Sequence, residues 1–390
     1  MRRLVLIPLL LIAALTATAQ DMLVPLTGTK GGTGLNLNLD RIWNYNLYER
    51  SRWGVGLDYI IAHDSVDNAT DISGYVGYGI RDRQLKGGVG VLHFDDGRVF
   101  YANVYRDYDA AASRSSVSTT HLNLNDLSGI MASRMSDNVG LRAGYYTNWG
   151  RVGVLFGTHL FFGGRLFDGN GLLYRCLGDT IAPENGAEAK VTTTYGKHLE
   201  AVLTCGHTWP QGKPILRLLA FYEHADTLSF TELYTYLQGG ITPPNTPYIR
   251  MFDLGGTYGA PLFFPNALLT AKPNEFTANT FLLASLRLRL HRPLYRLHSD
   301  LLVIGSRPRP FVGINAAWGW LWGQNPDGQM CYEGLDLQSP HRGVMEAVVG
   351  IDGLFEWGAV DYGVAFSCRP YPLENNALRW SILVTAELSI

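Results

Sequence analysis

Long runs of alternating apolar and polar residues recur along most of the chain and constrain its fold more than any other feature. In the closing stretch WSILVTAELSI, apolar side chains occupy every second position from Trp380 to Ile390, and Leu383 is the single exception on the other face. Because successive side chains of a strand point to opposite faces, this period of two predicts a strand with one apolar face. No segment keeps a helical period over three turns, so we predict an all-β protein.

Sixteen such runs can be marked, and their length bears on the architecture. They lie at 35–43, 52–61, 72–80, 86–94, 98–107, 138–148, 151–163, 189–196, 198–208, 213–223, 229–237, 279–291, 310–322, 343–353, 358–368 and 379–390. Most span about 9–13 residues, whereas strands of soluble sheets average about 5–6 and a tilted strand needs about 9–11 to cross a bilayer. We predict a transmembrane antiparallel β-barrel of about 16 strands, and 14 stays open because the eighth and eleventh runs are weak. A soluble β-sandwich alternates in the same way and is the competing fold.

The composition agrees with a surface that faces lipid. Charged residues make up 17% of the chain and aromatic residues 12%, against a usual charged share of about 25%. Tryptophans recur near the ends of runs, where membrane interfaces concentrate aromatic side chains. They are Trp43, Trp53, Trp149, Trp209, Trp322, Trp357 and Trp380. The net charge of −2 provides no basic field, so we expect no nucleic-acid partner.

Residues 1–19 have the three parts of a secretory signal peptide. A positive start precedes an apolar core from Leu4 to Leu15, and small residues lead up to Ala19. The core is too short for a spanning helix, which needs about 20 apolar residues. We predict cleavage after Ala19, a short periplasmic tail at 20–34 and an outer-membrane β-barrel at 35–390. An uncleaved membrane anchor is the alternative.

The connections between runs fall into two length classes, as expected for a barrel with both termini in the periplasm. Short periplasmic turns are predicted at 95–97, 149–150 and 354–357. Long outer loops are predicted at 108–137, 164–188, 238–278 and 323–342. The charged segment 81–86 is predicted to be a solvated connection between two spanning strands. Inward glycines on either side of it would leave room for neighbouring side chains in the lumen.

The sequence lacks the motifs of common enzymes. It contains no HExxH, GxSxG or P-loop pattern, and residues 95–97 match a tight hairpin turn better than a calcium loop. The cysteines form no CxxC pair, so we expect no zinc site of that kind, and their disulfide pairing stays open. They are Cys176, Cys205, Cys331 and Cys368. We expect no enzymatic activity and no cofactor; a lipid hydrolase is a third class for which no nucleophile and base pair is identifiable.

Three stretches carry a resemblance to a known family. They are RIWNYNLYERSRWGVGL (41–57), GYVGYGIRDRQLKGG (74–88) and MEAVVGIDGLFEWGAVDYGVAF (345–366). Together they resemble the barrel of Gram-negative outer-membrane proteins of unknown function that usually carry an N-terminal carboxypeptidase-regulatory-like domain. That barrel is similar to those of the insertases and the two-partner-secretion transporters. The tail at 20–34 is too short for the N-terminal domain, so we expect the chain to lack that domain and periplasmic repeat domains of the insertase kind.

The 238–278 connection follows the eleventh run, where the related transporters have a loop that folds into the lumen. Its stretch YIRMFDLGG (248–256) loosely resembles the arginine motif of that loop, with Arg250 in the matching place. Loops longer than about 12–15 residues in compact proteins are usually functional or disordered. The aromatic and glycine content favours packed structure, so we predict that this segment enters the lumen.

Eight titratable residues are predicted to face the lumen. They are Arg250, Arg287, Arg289, His291, Glu346, Asp352, Asp361 and Glu387. One interpretation is that these charges are simply solvated in a polar lumen. The other is that the basic twelfth strand and the acidic wall of the last three strands dock the folded-in loop or steer a solute. In the second interpretation Arg250 pairs with the acidic wall.

Two functions fit this barrel. The first is a conduit or translocation-type barrel for a solute or polypeptide. The alternative is a non-transporting structural or accessory barrel that binds partner proteins in the outer membrane. We expect outer-membrane lipid around the barrel, and other outer-membrane or periplasmic proteins are the partners left open. The alternation also predicts that arginine is costly at the lipid-facing Val364 and much less costly at the inward Ala365.

Overall fold

A computed structural model describes most of the chain after residue 22. The described ranges are 23–26, 33–46, 49–63, 68–110, 112, 134–170, 173–176, 184–196, 198–254, 268–271, 275–299, 304–357, 360–374 and 377–388. No helix within these ranges is long and apolar enough to cross a membrane. The predicted signal peptide lies outside them and remains a prediction.

Among the described residues, sixteen successive strands form the wall of the protein; the first has five residues and the others have 11 to 19. They are β1 (Gly34–Asn38), β2 (Arg50–Ala62), β3 (Asn68–Gly79), β4 (Leu85–Asp95), β5 (Arg98–Ala110), β6 (Arg134–Trp149), β7 (Val152–Asn170), β8 (Glu184–Tyr195), β9 (Leu199–Trp209), β10 (Pro214–Leu228), β11 (Thr231–Ile241), β12 (Thr280–Leu290), β13 (Arg309–Trp320), β14 (Val344–Trp357), β15 (Val360–Glu374) and β16 (Ala377–Leu388). Each strand pairs antiparallel with the next along the chain. The prediction of an all-β transmembrane antiparallel barrel with 16 strands is confirmed, and the count of 14 is wrong.

The two faces of the wall differ as a membrane barrel requires. On the outward face, Val89 of β4 and Val104 of β5 are 66% and 54% exposed, whereas the inward Tyr105 is only 7% exposed. Large apolar side chains are exposed on outward positions around the wall, among them Leu203, Leu216, Leu282, Ile314, Val349 and Val364. A soluble sandwich would bury its apolar face between two sheets. The exposed apolar face therefore excludes that competing fold.

The connections define two ends of the barrel. The turn end carries the connections after even-numbered strands, which are short apart from 291–308; they are 63–67, 96–97, 150–151, 196–198, 229–230, 291–308 and 358–359. The loop end carries those after odd-numbered strands; they are 39–49, 80–84, 111–133, 171–183, 210–213, 242–279, 321–343 and 375–376. The predicted turn at 354–357 is wrong, because a bulge between Ile351 and Phe355 lets β14 continue to Trp357.

The first run is shorter than predicted. β1 ends at Asn38, a single 3-10 turn follows at Leu39–Arg41, and the short strand Trp43–Asn46 pairs with the start of β2. Within the predicted tail, Leu23–Pro25 pairs with β1. The N-terminal end of the wall is therefore built from short pieces rather than from one continuous strand.

The charged segment 81–86 is only in part the solvated connection that the sequence predicted, because Arg83 is exposed whereas the side chains of Asp82 and Lys86 are buried. Lys86 Nζ lies 3.0 Å from Glu49 Oε1 and also contacts Asp82, and the side chains of Lys86 and Glu49 are fully buried. Arg52 Nη2 binds the same glutamate, at 2.6 Å from Oε2. A buried charge without a partner is strongly disfavoured. Lys86 turns inward because its partner Glu49 comes from the 39–49 connection, which the local sequence does not reveal.

Two glycines explain why these strands need residues without side chains. A Cβ at Gly144 would lie 2.4 Å from the ring of Tyr101, which covers this position from the neighbouring strand. A Cβ at Gly77 would lie 2.9 Å from the Arg52 side chain. Since real Cβ atoms do not approach so closely, glycine here makes room for large inward side chains of the adjacent strand, as predicted.

Candidate functional site: the lumen plug

The described parts of the connection 242–279 fold into the lumen, and we call them the plug. They are 242–254, 268–271 and 275–279. Tyr248, Phe252 and Leu254 are fully buried, and Phe252–Asp253 pairs with Thr277–Ala278. The plug packs in two apolar clusters against inward wall residues that include Phe161, Val202, Ile215, Leu219, Phe281 and Leu283. The segment therefore fills part of the lumen, as its composition predicted.

Arg250 attaches the plug to β7 and β8. Its Nε lies 2.7 Å from Oε2 of Glu188, and both side chains are mostly shielded from solvent. The Nδ1 atom of His159 lies 3.1 Å from the other oxygen of this carboxylate. The guanidinium group also sits 4.9 Å from the ring centroid of Phe161, within the range of a cation–π contact. Charge pairing and aromatic contact thus fix the same side chain.

Glu346 of β14 attaches a second part of the plug. This carboxylate is fully buried and accepts hydrogen bonds from the backbone N–H of Leu269 at 2.7 Å and of Thr270 at 3.0 Å. The Thr270 hydroxyl donates to it at 2.8 Å, and the Asn315 amide donates at 2.8 Å. Ionised acceptors form stronger hydrogen bonds than neutral ones. Glu346 therefore holds the plug through its backbone.

Glu275 attaches the plug to the last two strands. Its Oε1 atom lies 2.5 Å from Nη1 of Arg379 and 3.1 Å from Nη2 of Arg369. Nearby, the Ser381 hydroxyl donates a hydrogen bond to the carbonyl oxygen of Leu269 at 3.0 Å. The plug thus reaches both β8 and β16, which are eight strands apart in the sheet. The wall must curve around it for these contacts to coexist.

A short hairpin packs over the plug at the loop end. This cover hairpin consists of Gln329–Tyr332 paired with Leu335–Gln338. The Tyr332 hydroxyl donates to the carbonyl oxygen of Thr246 at 2.8 Å. Burial, and then the charge of Glu184, raises the pKa of Tyr332 to about 12, so its hydroxyl remains a donor at neutral pH. The cover hairpin therefore adds a second layer over the plug at the loop end.

Four of the other predicted lumen charges, two arginines and two aspartates, form ion pairs toward the turn end. Arg287 and Arg289 both contact Asp352, the latter at 3.4 Å. Asp361 Oδ2 lies 2.9 Å from Arg307 and 3.6 Å from Arg309. His291 is exposed just beyond β12. The backbone of Glu387 pairs with that of Asp361, and its side chain lies outside the description.

The expected partner of Arg250 was wrong. Among the residues that the structure describes, its ion pair is with Glu188, on the other side of the lumen from the acidic wall. The carboxylates of β14 and β15 are engaged elsewhere: Glu346 by the plug backbone, Asp352 by two arginines of β12, and Asp361 by Arg307 and Arg309. Local charge pairing within the wall thus replaced the predicted contact.

Sequence reasoning missed Glu188 because the eighth run was marked from residue 189, whereas β8 begins at Glu184. Extending the alternation backward places Glu188 on the inward face with Lys190 and Thr192, so the signal existed. Glu275 had no such signal. It lies in a loop, where no periodicity assigns a direction to a side chain.

The Arg250–Glu188 pair yields a prediction. In a double-mutant cycle with Arg250→Met and Glu188→Gln, we expect a coupling energy of about 1–3 kcal/mol, because separating the pair leaves a shielded charge without its partner. Urea unfolding in detergent measures it. The matched control is Arg106–Asp137, 3.9 Å apart with Arg106 46% exposed. That pair should couple by less than about 1 kcal/mol. Equal coupling energies in the two pairs would contradict the description of Arg250–Glu188 as a shielded ion pair that holds the plug.

Comparisons with known proteins assign no family to the chain. No family model matches, and no curated protein matches. Among solved structures, the chain is similar to CdiB from Acinetobacter baumannii, with 8% identity, 95% of this chain and 65% of that chain covered, and a TM-score of 0.45. For CdiB from Escherichia coli these values are 12%, 94%, 67% and 0.46.

A bacterial polysaccharide outer membrane secretin is also similar, with 10% identity, 88% of this chain and 91% of that chain covered, and a TM-score of 0.35. The chain spans about two thirds of the length of the two CdiB chains. TM-scores below 0.5 assign neither a family nor a function. The structure itself describes a transmembrane β-barrel with a plug in its lumen.

Proposed function

We propose that the protein is an outer-membrane conduit of the translocation type, whose lumen the plug keeps closed until a solute or polypeptide passes. The observation that carries this proposal is the polar attachment of the plug at three places around the wall. Arg250 meets Glu188, the backbone at 269–270 meets Glu346, and Glu275 meets Arg369 and Arg379.

Polar attachments suit a closure that opens. Ion pairs and hydrogen bonds can be exchanged for contacts to water or to a passing substrate, whereas a lumen filled only by apolar packing has no such exchange. The substrate itself is not identified by these contacts. The exposed apolar outer face supports a membrane location, and the signal peptide predicted at 1–19 is consistent with export to the outer membrane.

The alternative is a structural or accessory barrel that binds partner proteins. It is favoured by the apolar clusters between plug and wall, in which Leu254, Leu268 and Leu283 are fully buried. Such packing costs free energy to open. In this alternative the plug is a permanent core, and the loops at the loop end are the binding surface.

Conductance in planar bilayers tests the proposal. Ile241 and Thr280 face each other in the β11–β12 ladder, so a short Gly-Ser linker can replace residues 243–278. The wild-type barrel should conduct little, and the variant without the plug should form large, stable channels. An Arg106→Met variant, altered only at the exposed pair, should behave like wild type. Equal and low conductance with and without the plug would argue for the accessory function.

Membrane location is tested separately. The protein should fractionate with the outer membrane, and mass spectrometry of its N-terminus should give Gln20 as the first residue. Recovery as a soluble periplasmic protein would contradict the location. Conductance and fractionation are independent, so failure of one does not decide the other.

A further inference from the structure

At the turn end, the exposed His198 and the half-exposed His224 bring their Nδ1 atoms close together. His198 directly precedes β9, and His224 lies on β10. Their Nδ1 atoms are 3.3 Å apart, and the ring planes are inclined by 74°. Asp226, two positions further along β10, lies 2.9 Å from the Nε2 atom of His224. This group takes no part in the plug or in its attachments.

We propose that His198 and His224 form a binding site for a divalent transition metal ion, with Zn²⁺ as the ion that fits best. Zinc binds imidazole nitrogens at about 2.0–2.1 Å in tetrahedral geometry, which sets two ligand nitrogens about 3.3–3.4 Å apart. The two Nδ1 atoms already have this separation. Imidazole is a preferred ligand of zinc, copper and nickel.

Asp226 determines which nitrogen of His224 is available. A carboxylate beside Nε2 holds the proton on that nitrogen, so Nδ1 presents its lone pair. Metal-binding histidines commonly donate their second N–H to such a carboxylate. Asp226 is thus a positioning residue that prepares His224 for the metal.

A hydrogen bond between the rings explains the geometry less well. The nitrogen–nitrogen distance of 3.3 Å is longer than the range of about 2.7–3.2 Å that holds for N–H···O hydrogen bonds, so a bond between the rings would be a long one. His198 Nδ1 also lies 3.0 Å from the carbonyl oxygen of Glu223 and can donate its proton there in the metal-free protein. On metal binding that proton moves to Nε2 of His198, and Nδ1 becomes a ligand.

The site has two side-chain ligands. Among the described residues, no group of three or more His, Cys, Asp and Glu is placed to hold a metal ion. Water therefore completes the coordination, which leaves positions open to a ligand from another molecule. Such a site binds metal reversibly at the rim of the barrel and does not depend on the proposed conduit function.

A calorimetric titration with zinc chloride tests the proposal. It uses the untagged, chelator-treated protein in detergent. The wild type should bind one equivalent saturably. His198→Gln or His224→Gln should weaken binding by at least about tenfold, and Asp226→Asn by about 10–100-fold. The control is His63→Gln: His63 and His93 are joined through Thr70 and their ring centroids are 6.0 Å apart, so this variant should bind like wild type.

Zinc affinity that is the same in the wild type and in the double variant His198→Gln/His224→Gln would overturn the proposal. A second measurement uses the wild type alone and does not depend on the folding of any variant. Zinc should protect both histidines from diethyl pyrocarbonate, as read by mass spectrometry, while His63 stays reactive. Unchanged modification of His198 and His224 in the presence of zinc would also overturn it.

Discussion

Replacing Glu346 with alanine is expected to destabilise the barrel by about 3 kcal/mol or more and to release the plug near residue 270, because several buried donors lose a charged acceptor together. The donors are two backbone N–H groups, the Thr270 hydroxyl and the Asn315 amide. Urea unfolding in detergent measures the loss of stability. Hydrogen exchange of the Leu269 and Thr270 amides measures the release of the plug.

Matched variants separate the carboxylate from its surroundings. Thr270→Val removes one donor and leaves Glu346 bound by the others, so it should cost about 1 kcal/mol with little change in exchange. Glu346→Gln keeps an acceptor oxygen, so its loss of stability should lie between those of Glu346→Ala and Thr270→Val. Exchange at 269–270 that is equally slow in wild type and Glu346→Ala would show that apolar packing alone holds the plug.

The second large effect is expected on the lipid-facing surface. Replacing Val89 with arginine should cost about 2–4 kcal/mol, because Val89 lies midway along β4 and an arginine there would face the middle of the bilayer. Ser73 of β3 is the control, since it faces the lumen at the same depth between Asp58 and Gly90. Ser73→Arg should cost much less. Unfolding in lipid vesicles measures both, and equal costs would mean that the two faces are misassigned.

Ala365 is also an inward position, but its surroundings differ from those of Ser73. The alternation correctly turns Val364 outward and Ala365 inward, and their exposures are 41% and 1%. Ala365, however, packs with Leu269 of the plug and with Phe311 and Val348 of the wall. The sequence-based expectation that arginine is cheap at this inward position is therefore wrong. An inward position is tolerant only where the lumen is wet.

The sequence by itself determined the wall. Period-two alternation depends only on the geometry of a strand, and the length of the runs depends only on bilayer thickness, so both can be read locally. Sixteen strands, their outward faces and the tight hairpin at 96–97 follow from such local patterns. The entry of the plug also followed from composition, since a long segment rich in aromatic residues is rarely left in water.

Only the tertiary structure decided which charges meet. Glu188 pairs with a loop residue 62 positions away, and Lys86 of β4 meets Glu49 of the 39–49 connection, so neither partnership leaves a periodic trace in the chain. The pairing of His198 with His224 is of the same kind, set by the register of β9 on β10. The direction of a side chain on a strand follows from its alternation with neighbouring residues. A buried charge instead pairs with whichever opposite charge the closed barrel brings within reach, because an unpaired charge is costly to remove from water.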